Sequence, residues 1–282
     1  MNEHDMNGRT EHAMTASDIP ASRLPQADRD AEHMQGHWVL AQLGKRVLRP
    51  GGERLTKRML AHVTIAGRRV VEFAPGLGRT TRLIMAAEPS AYTGVDRDGR
   101  VVDIIGPLAA AVNGACVQAD AADTGLPSDS ADAVIGEAML TMQSERDKRA
   151  IIAEAHRLLK QGGLYAIHEM GLAPDDLEES VKDAIRKDLA RAIKVNARPL
   201  TDAEWRSLLE SEGFEVLWSG SEPMALLKMR RNLADEGVAG VLRIVRNVLT
   251  HRDLRARVLQ MRRVFDTYGD MLTGVAFVAR RR

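Results

Sequence analysis

Between residues 69 and 168, short apolar runs alternate with segments of helix length, and this alternation leaves few folds open. The runs at 69–74, 91–95, 115–118, 131–135 and 164–168 are each bounded by turn residues. A strand covered on both faces reads as an unbroken apolar run, and strands separated by helix-length segments pair in parallel beneath those helices. Two later runs, FEVLWSG after Gly213 and GVAFVA at 274–279, bring the count to seven strands. The expected fold class is α/β, with a seven-stranded, mostly parallel sheet and helices on both faces.

Outside the alternation the period is helical. Trp38, Leu40, Leu43 and Val47, then Leu55, Met59 and Leu60, recur at helical spacing on either side of Pro50-Gly51-Gly52, which predicts two short helices. A helix over 147–159 is expected to stop at Gly162-Gly163. Thr201 with Glu204 three residues on predicts a capping box. Val238, Val241, Leu242, Val245, Val248 and Leu249 form one apolar stripe, and Leu254, Val258, Met261, Phe265, Tyr268 and Leu272 form another, so two amphipathic helices precede the last strand. The resulting division is a disordered tail at 1–36, a helical lid at 37–64, a core at 65–222, a helical insertion at 223–273, and the last strand with a basic end at 274–282. The tail carries seven acidic groups against three arginines and no period. Its His4/Met6 and His12/Met14 pairs, with His33-Met34 and His37 after them, have the ligand types that suit copper, but such spacing arises by chance in polar chains, and no metal site is expected.

Chemistry concentrates in VVEFAPGLGRTTRLI, a strand feeding a glycine-rich turn and a helix. Glycines let such a turn approach a ligand closely, and the turn alone fits NAD, FAD or S-adenosylmethionine. Glu72 precedes the turn in the pattern Glu-x-Ala-x-Gly-x-Gly. Its carboxylate would repel a pyrophosphate and favour a cationic ligand, and the glycine spacing speaks against an NAD-dependent oxidoreductase. At the end of the next run, Asp96 stands where a carboxylate accepts both hydrogen bonds of a ribose diol. After the third run, Asp120 or its neighbouring backbone can accept from an adenine amino group.

A net charge of +1 gives no general attraction for nucleic acid or an anionic membrane, and no apolar run is long enough to span one. Cys116 is the only cysteine, which excludes an intrachain disulfide framework and suits a reducing, cytoplasmic compartment. Residues 223–272 hold ten basic and five acidic groups, a balance that fits a solvated lid face better than a membrane or RNA contact, and aromatics for base stacking are scarce.

From Val70 to Met170, in order, EFAPGLG, GVDRD, DAADTGLP, ADAVIGEAML and EAHRLLKQGG before LYAIHEM resemble the class I S-adenosylmethionine-dependent methyltransferases, especially the ubiquinone and menaquinone C-methyltransferase branch. The resemblance implies a Rossmann-like fold and S-adenosylmethionine as cofactor. It also implies cofactor-binding roles for Glu72, Ala74, Gly76, Gly78, Asp96, Arg97, Asp120 and Ala121. Ala74 replaces the first glycine of the family's loop, which is tolerable where the backbone is not left-handed.

Methyl transfer needs chiefly positioning and desolvation, with a base only for a protonated acceptor. Ligands of open α/β sheets lie beyond the carboxyl ends of the strands. There Glu137, with Met139 and Met142 as apolar walls, and His168 and Glu169 are the catalytic candidates; the last two alternate in direction, so one is expected to face the acceptor. Lys45, Arg46 and Arg49 imply an anionic acceptor if they face the pocket. The expected partner is a small-molecule acceptor rather than nucleic acid, and a homodimer is compatible with the sequence. The alternatives are an RNA or protein methyltransferase, or a module that binds the cofactor without turnover.

Overall fold

The computed structural model describes residues 19–224 and 229–282. The tail through Asp18, with its His/Met pairs, lies outside them. Two short helices, α1 (Gly36–Gln42) and α2 (Gly52–Leu60), lead into β1 (Arg69–Phe73), α3 (Arg79–Ala86), β2 (Ala91–Asp96), α4 (Gly99–Ala110), β3 (Ala115–Gln118) and β4 (Ala131–Glu137). The chain continues through α5 (Glu145–Leu158), β5 (Leu159–Leu172), α6 (Glu179–Ile193) and a two-residue β6 (Leu200–Thr201). It ends with α7 (Asp202–Ser211), β7 (Phe214–Pro223), α8 (Met229–Thr250), α9 (Arg252–Thr267) and β8 (Leu272–Arg281).

The strands form one sheet in the order β3-β2-β1-β4-β5-β8-β7, with β6 pairing to β5. β3, β2, β1, β4 and β5 are parallel, while β8 runs antiparallel to both β5 and β7. This is the expected Rossmann-like α/β class, with a two-residue strand added. Strand order reverses between β1 and β4, so a crevice opens beyond their carboxyl ends.

Apolar residues cover both faces. Trp205, Leu209, Ile152 and Leu158 pack with Phe73 and Ile167 on one side; Leu55, Met59, Ile84 and Ile105 pack with Val70 and Ile135 on the other. A third cluster joins Met34, Val39 and Leu40 to Ile185, Leu189, Met261 and Phe265, bringing α1, α6 and α9 together above the crevice.

Several boundaries depart from the sequence reading. Residues 19–36 are packed rather than disordered: Leu24 and Met34 are buried. These two apolar side chains carry no period of their own, and only the pocket they fill reveals them. α5 stops at Leu158, and Gly162-Gly163 lie within β5, where the pairing with β4 shifts between Ala131 and Ala133. The glycines therefore form an irregularity of the strand instead of a helix stop. The capping box at Thr201 and Glu204 is present, with both reciprocal hydrogen bonds.

Candidate active site

The crevice is a cavity of about 480 Å³, within the range of about 300–1,000 Å³ common for small-molecule sites. Its polar end is built by three consecutive strand ends. β1 contributes Glu72 and the loop after it Ala74, Gly76 and Leu77; the end of β2 contributes Asp96, followed by Arg97; the segment after β3 contributes Asp120 and Ala121. Gly78 and the two candidates on β5 do not border it.

The loop is tightly wound. Ala74, Gly76 and Gly78 have φ of 51°, 55° and 73°, all left-handed. Glycine adopts this region freely, but an alanine there is strained by about 1 kcal/mol or more. The condition under which Ala74 would sit comfortably is thus not met; its N–H is anchored instead on the Val95 carbonyl at 2.8 Å. Strain of this kind is held at functional sites when the surrounding structure over-determines it.

Glu72 is buried, and its Oε2 accepts from Tyr92 Oη at 2.6 Å and Thr81 Oγ1 at 2.7 Å. Burial pushes its carboxyl up to about 7 despite those bonds. Asp96 Oδ1 accepts from the Asp98 N–H at 2.9 Å, and burial raises its carboxyl as well. Asp120 is exposed, pairs with Arg97 at 3.6 Å, and accepts from the Ala122 N–H.

Glu137 ends β4 and borders the cavity, but its carboxylate is saturated. Arg49 Nη1 donates at 2.6 Å, Thr56 Oγ1 at 2.5 Å, and Thr80 also donates to it. His168 Nδ1 lies 2.9 Å away. Burial would raise this carboxyl, but the Arg49 charge and the His168 bond outweigh it and hold it at about 2. The pairing follows from register, because Glu137 and His168 are partners across β4 and β5. Fully buried, His168 also contacts the Pro50 carbonyl through Nε2.

Glu169 points to the other face. It accepts from the backbone N–H groups of Met139, Leu140 and Thr141 and from Thr141 Oγ1 at 2.7–3.0 Å, which pins the turn after β4. The expectation that one of His168 and Glu169 faces the acceptor therefore fails, since each is consumed by a neighbouring element.

The lid cations are likewise buried and engaged. Lys45 lies 3.8 Å from Glu236, Arg46 donates to the Ala41 carbonyl, and Arg49 is held by Glu137. Arg46 and Arg49 border the cavity and Lys45 does not, so the condition for an anionic ligand is met at two of the three, with the Arg49 charge already balanced by Glu137. One feature of Arg49 remains open: its Nε and Nη2 are buried without a hydrogen-bond partner among the described residues. Such donors on a cavity wall fit a ligand carboxylate.

The far end of the cavity is apolar, walled by Leu40, Met139, Met142, Met170, Met261 and Phe265. Here stands a group that the sequence placed only among the His/Met groups weighed for metal. His37, at the start of α1, borders the cavity and stacks at a tilt on Trp38, and burial lowers its imidazole to about 4. Nothing local in the sequence marks it, because it reaches the site only when α1 packs over α6 and α9.

Residues 70–163 match the family model for a methyltransferase domain. An uncharacterized protein of Haemophilus influenzae is 32% identical over 253 residues, covering 86% of this chain and 96% of its own. Among solved structures, the MccD protein superposes with a TM-score of 0.65 at 19% identity, over 83% of this chain and 99% of its own. Phosphoethanolamine N-methyltransferase 2 of Haemonchus contortus, in complex with phosphomonomethylethanolamine and S-adenosylhomocysteine, does so with a TM-score of 0.64 at 16% identity, over 95% of this chain and 61% of its own.

Proposed function

The chain belongs to the class I S-adenosylmethionine-dependent methyltransferases, and from that premise we propose that it methylates an uncharged, largely apolar small molecule. The observation that carries this reading is a single cavity with a polar end at the glycine loop and an apolar, methionine-rich end beneath α1, α6 and α9.

The cavity's donor set fits the cofactor. Arg49, through its two unpaired donors, takes the carboxylate; Glu72 takes the ammonium; Asp96 takes the ribose diol; Asp120 and Ala121 flank the adenine. Gly76, with Ala74 and Gly78 shaping the loop, lets the backbone come close, and Arg97 holds Asp120 in place through their ion pair. When bound, the cofactor supplies an electrophilic methyl group that transfers by in-line displacement and leaves a neutral thioether.

The chain's own residues align the partners and exclude water. Methionine side chains adapt to a bulky apolar acceptor. His37, kept neutral near pH 7 by burial, orients the acceptor by a hydrogen bond to its imidazole. Glu137 and His168 hold the lid onto the sheet, and Glu169 holds the turn that carries Met139 and Met142. The helix-roofed cavity argues for a small acceptor over nucleic acid or protein. The methionine wall supports placement in the quinone C-methyltransferase branch, and the lone cysteine supports a cytoplasmic site of action.

The test is calorimetric titration with S-adenosylmethionine, S-adenosylhomocysteine and NAD, followed by an acceptor screen using labelled methyl groups. Micromolar binding of the first two, with label transferred to apolar acceptors, is expected. Transfer only to anionic acceptors, RNA or protein would overturn the acceptor class.

A further inference from the structure

Part of α8 shows a face that no described residue covers. Gly237, at φ 69° and ψ 176°, breaks the helix, and the stretch after it turns Val238, Leu242, Val245 and Leu249 outward, 66%, 65%, 38% and 65% exposed. Their spacing places them on one stripe. Val248 packs into the cluster beneath, so the stripe lies beside the buried face of the helix rather than on it.

Arginines flank the stripe. Arg246 is exposed on α8 within it, and beyond the turn at His251 the outer face of α9 presents Arg252, Arg255, Leu259 and Arg263. None of these four arginines makes an ion pair with a described residue, the exposed pair on α9 being Arg262 with Asp266. The opposite face of α9 buries Leu254, Met261 and Phe265.

We propose that the α8–α9 hairpin docks on an anionic lipid surface. The charge balance of this segment alone favours a solvated lid face, but the exposed stripe that the fold reveals changes that: an apolar stripe edged by unpaired arginines is the pattern of a helix that lies in the plane of a membrane interface, its leucines in the acyl boundary and its guanidinium groups among phosphates. Charge chooses the occupant. A second copy of this chain would bring the same arginines against one another, whereas anionic headgroups complement them. No helix among the described residues is long and apolar enough to cross a membrane, so the contact is peripheral. Met261 and Phe265 line the cavity from the inner face of α9, so docking sets the apolar end of the cavity about one helix diameter, roughly 10 Å, from the lipid.

The experiment is co-sedimentation of the full chain with phosphatidylcholine vesicles, with and without about 30% phosphatidylglycerol. Binding to the anionic vesicles and not to the neutral ones is expected, weakening in about 0.5 M salt. Leu242→Glu with Leu249→Glu, and separately Arg246→Glu with Arg255→Glu, should each weaken it by about tenfold or more. All four positions are exposed, so melting temperature and S-adenosylhomocysteine affinity should be unchanged; these controls separate lost docking from a lost fold or a failed cofactor assignment. Absence of binding to anionic vesicles would overturn the proposal. So would equal binding by the variants, or self-association by light scattering that Leu242→Glu abolishes.

Discussion

Arg49 Nη1 donates to Glu137 Oε2 across 2.6 Å, joining the segment before α2 to the end of β4 inside the cavity wall. Both side chains are buried, so each charge depends on the other. Glu137→Gln would leave the guanidinium without its counter-charge and should cost about 3 kcal/mol of stability. Urea unfolding at pH 7 measures this, and an unchanged midpoint would show that the pair does not hold the lid. The same pair sets an acid limit. The Glu137 carboxyl is held at about 2, below its usual 4.5, so its contribution is complete above 4.5 and is lost as pH falls toward 2.

Arg49→Lys keeps the charge but loses the planar fork of donors. Affinity for S-adenosylhomocysteine is expected to fall by about tenfold, the worth of one charge-assisted hydrogen bond. Calorimetry that finds no change would remove Arg49 from the carboxylate.

At Glu72 the sign runs the other way. Burial pushes this carboxyl up to about 7, so near neutrality the site is partly protonated and less attractive to a cation. Binding the cofactor's ammonium favours the carboxylate and releases a proton. S-adenosylmethionine affinity should therefore climb as pH rises toward 7, by up to about tenfold per unit, and level off above it. Titration in buffers of different ionisation enthalpy reads the proton directly, and Glu72→Gln should flatten the profile.

Ala74→Gly removes a methyl group from a left-handed backbone position at φ 51°. A gain in unfolding free energy of about 1 kcal/mol is expected, with cofactor affinity preserved. Loss of stability would mean that the Ala74 methyl packs in a way that outweighs the strain.

The His37 imidazole is lowered to about 4 by burial. The unfolded chain therefore holds more protons than the native one between about 6.5 and 4, and this residue withdraws stability as pH falls through that window. His37→Gln should flatten that part of the stability profile, leave cofactor affinity intact and cut methyl transfer by about tenfold, the worth of one orienting hydrogen bond. Equal turnover by the variant would end the assignment of His37 as the group that orients the acceptor.

What was legible in the sequence is what depends on local order. The apolar runs, the glycine turn after β1 and the two amphipathic helices before β8 each obey a period or a steric rule that a few neighbouring residues satisfy among themselves, and the family resemblance rests on that same ordered stretch from Val70 to Met170. The polar end of the cavity was legible for this reason, since parallel strands of known order deliver Glu72, Asp96 and Asp120 to one edge. Tertiary packing decided the rest. Sheet register set His168 beside Glu137 and so engaged two residues that had looked available to an acceptor; the fold of the N-terminal segment carried Arg49 and His37 to the cavity from far along the chain; and the Leu24 and Met34 pockets ordered a stretch that has no period. These contacts join residues distant in sequence, and their partners exist only once the layers have closed.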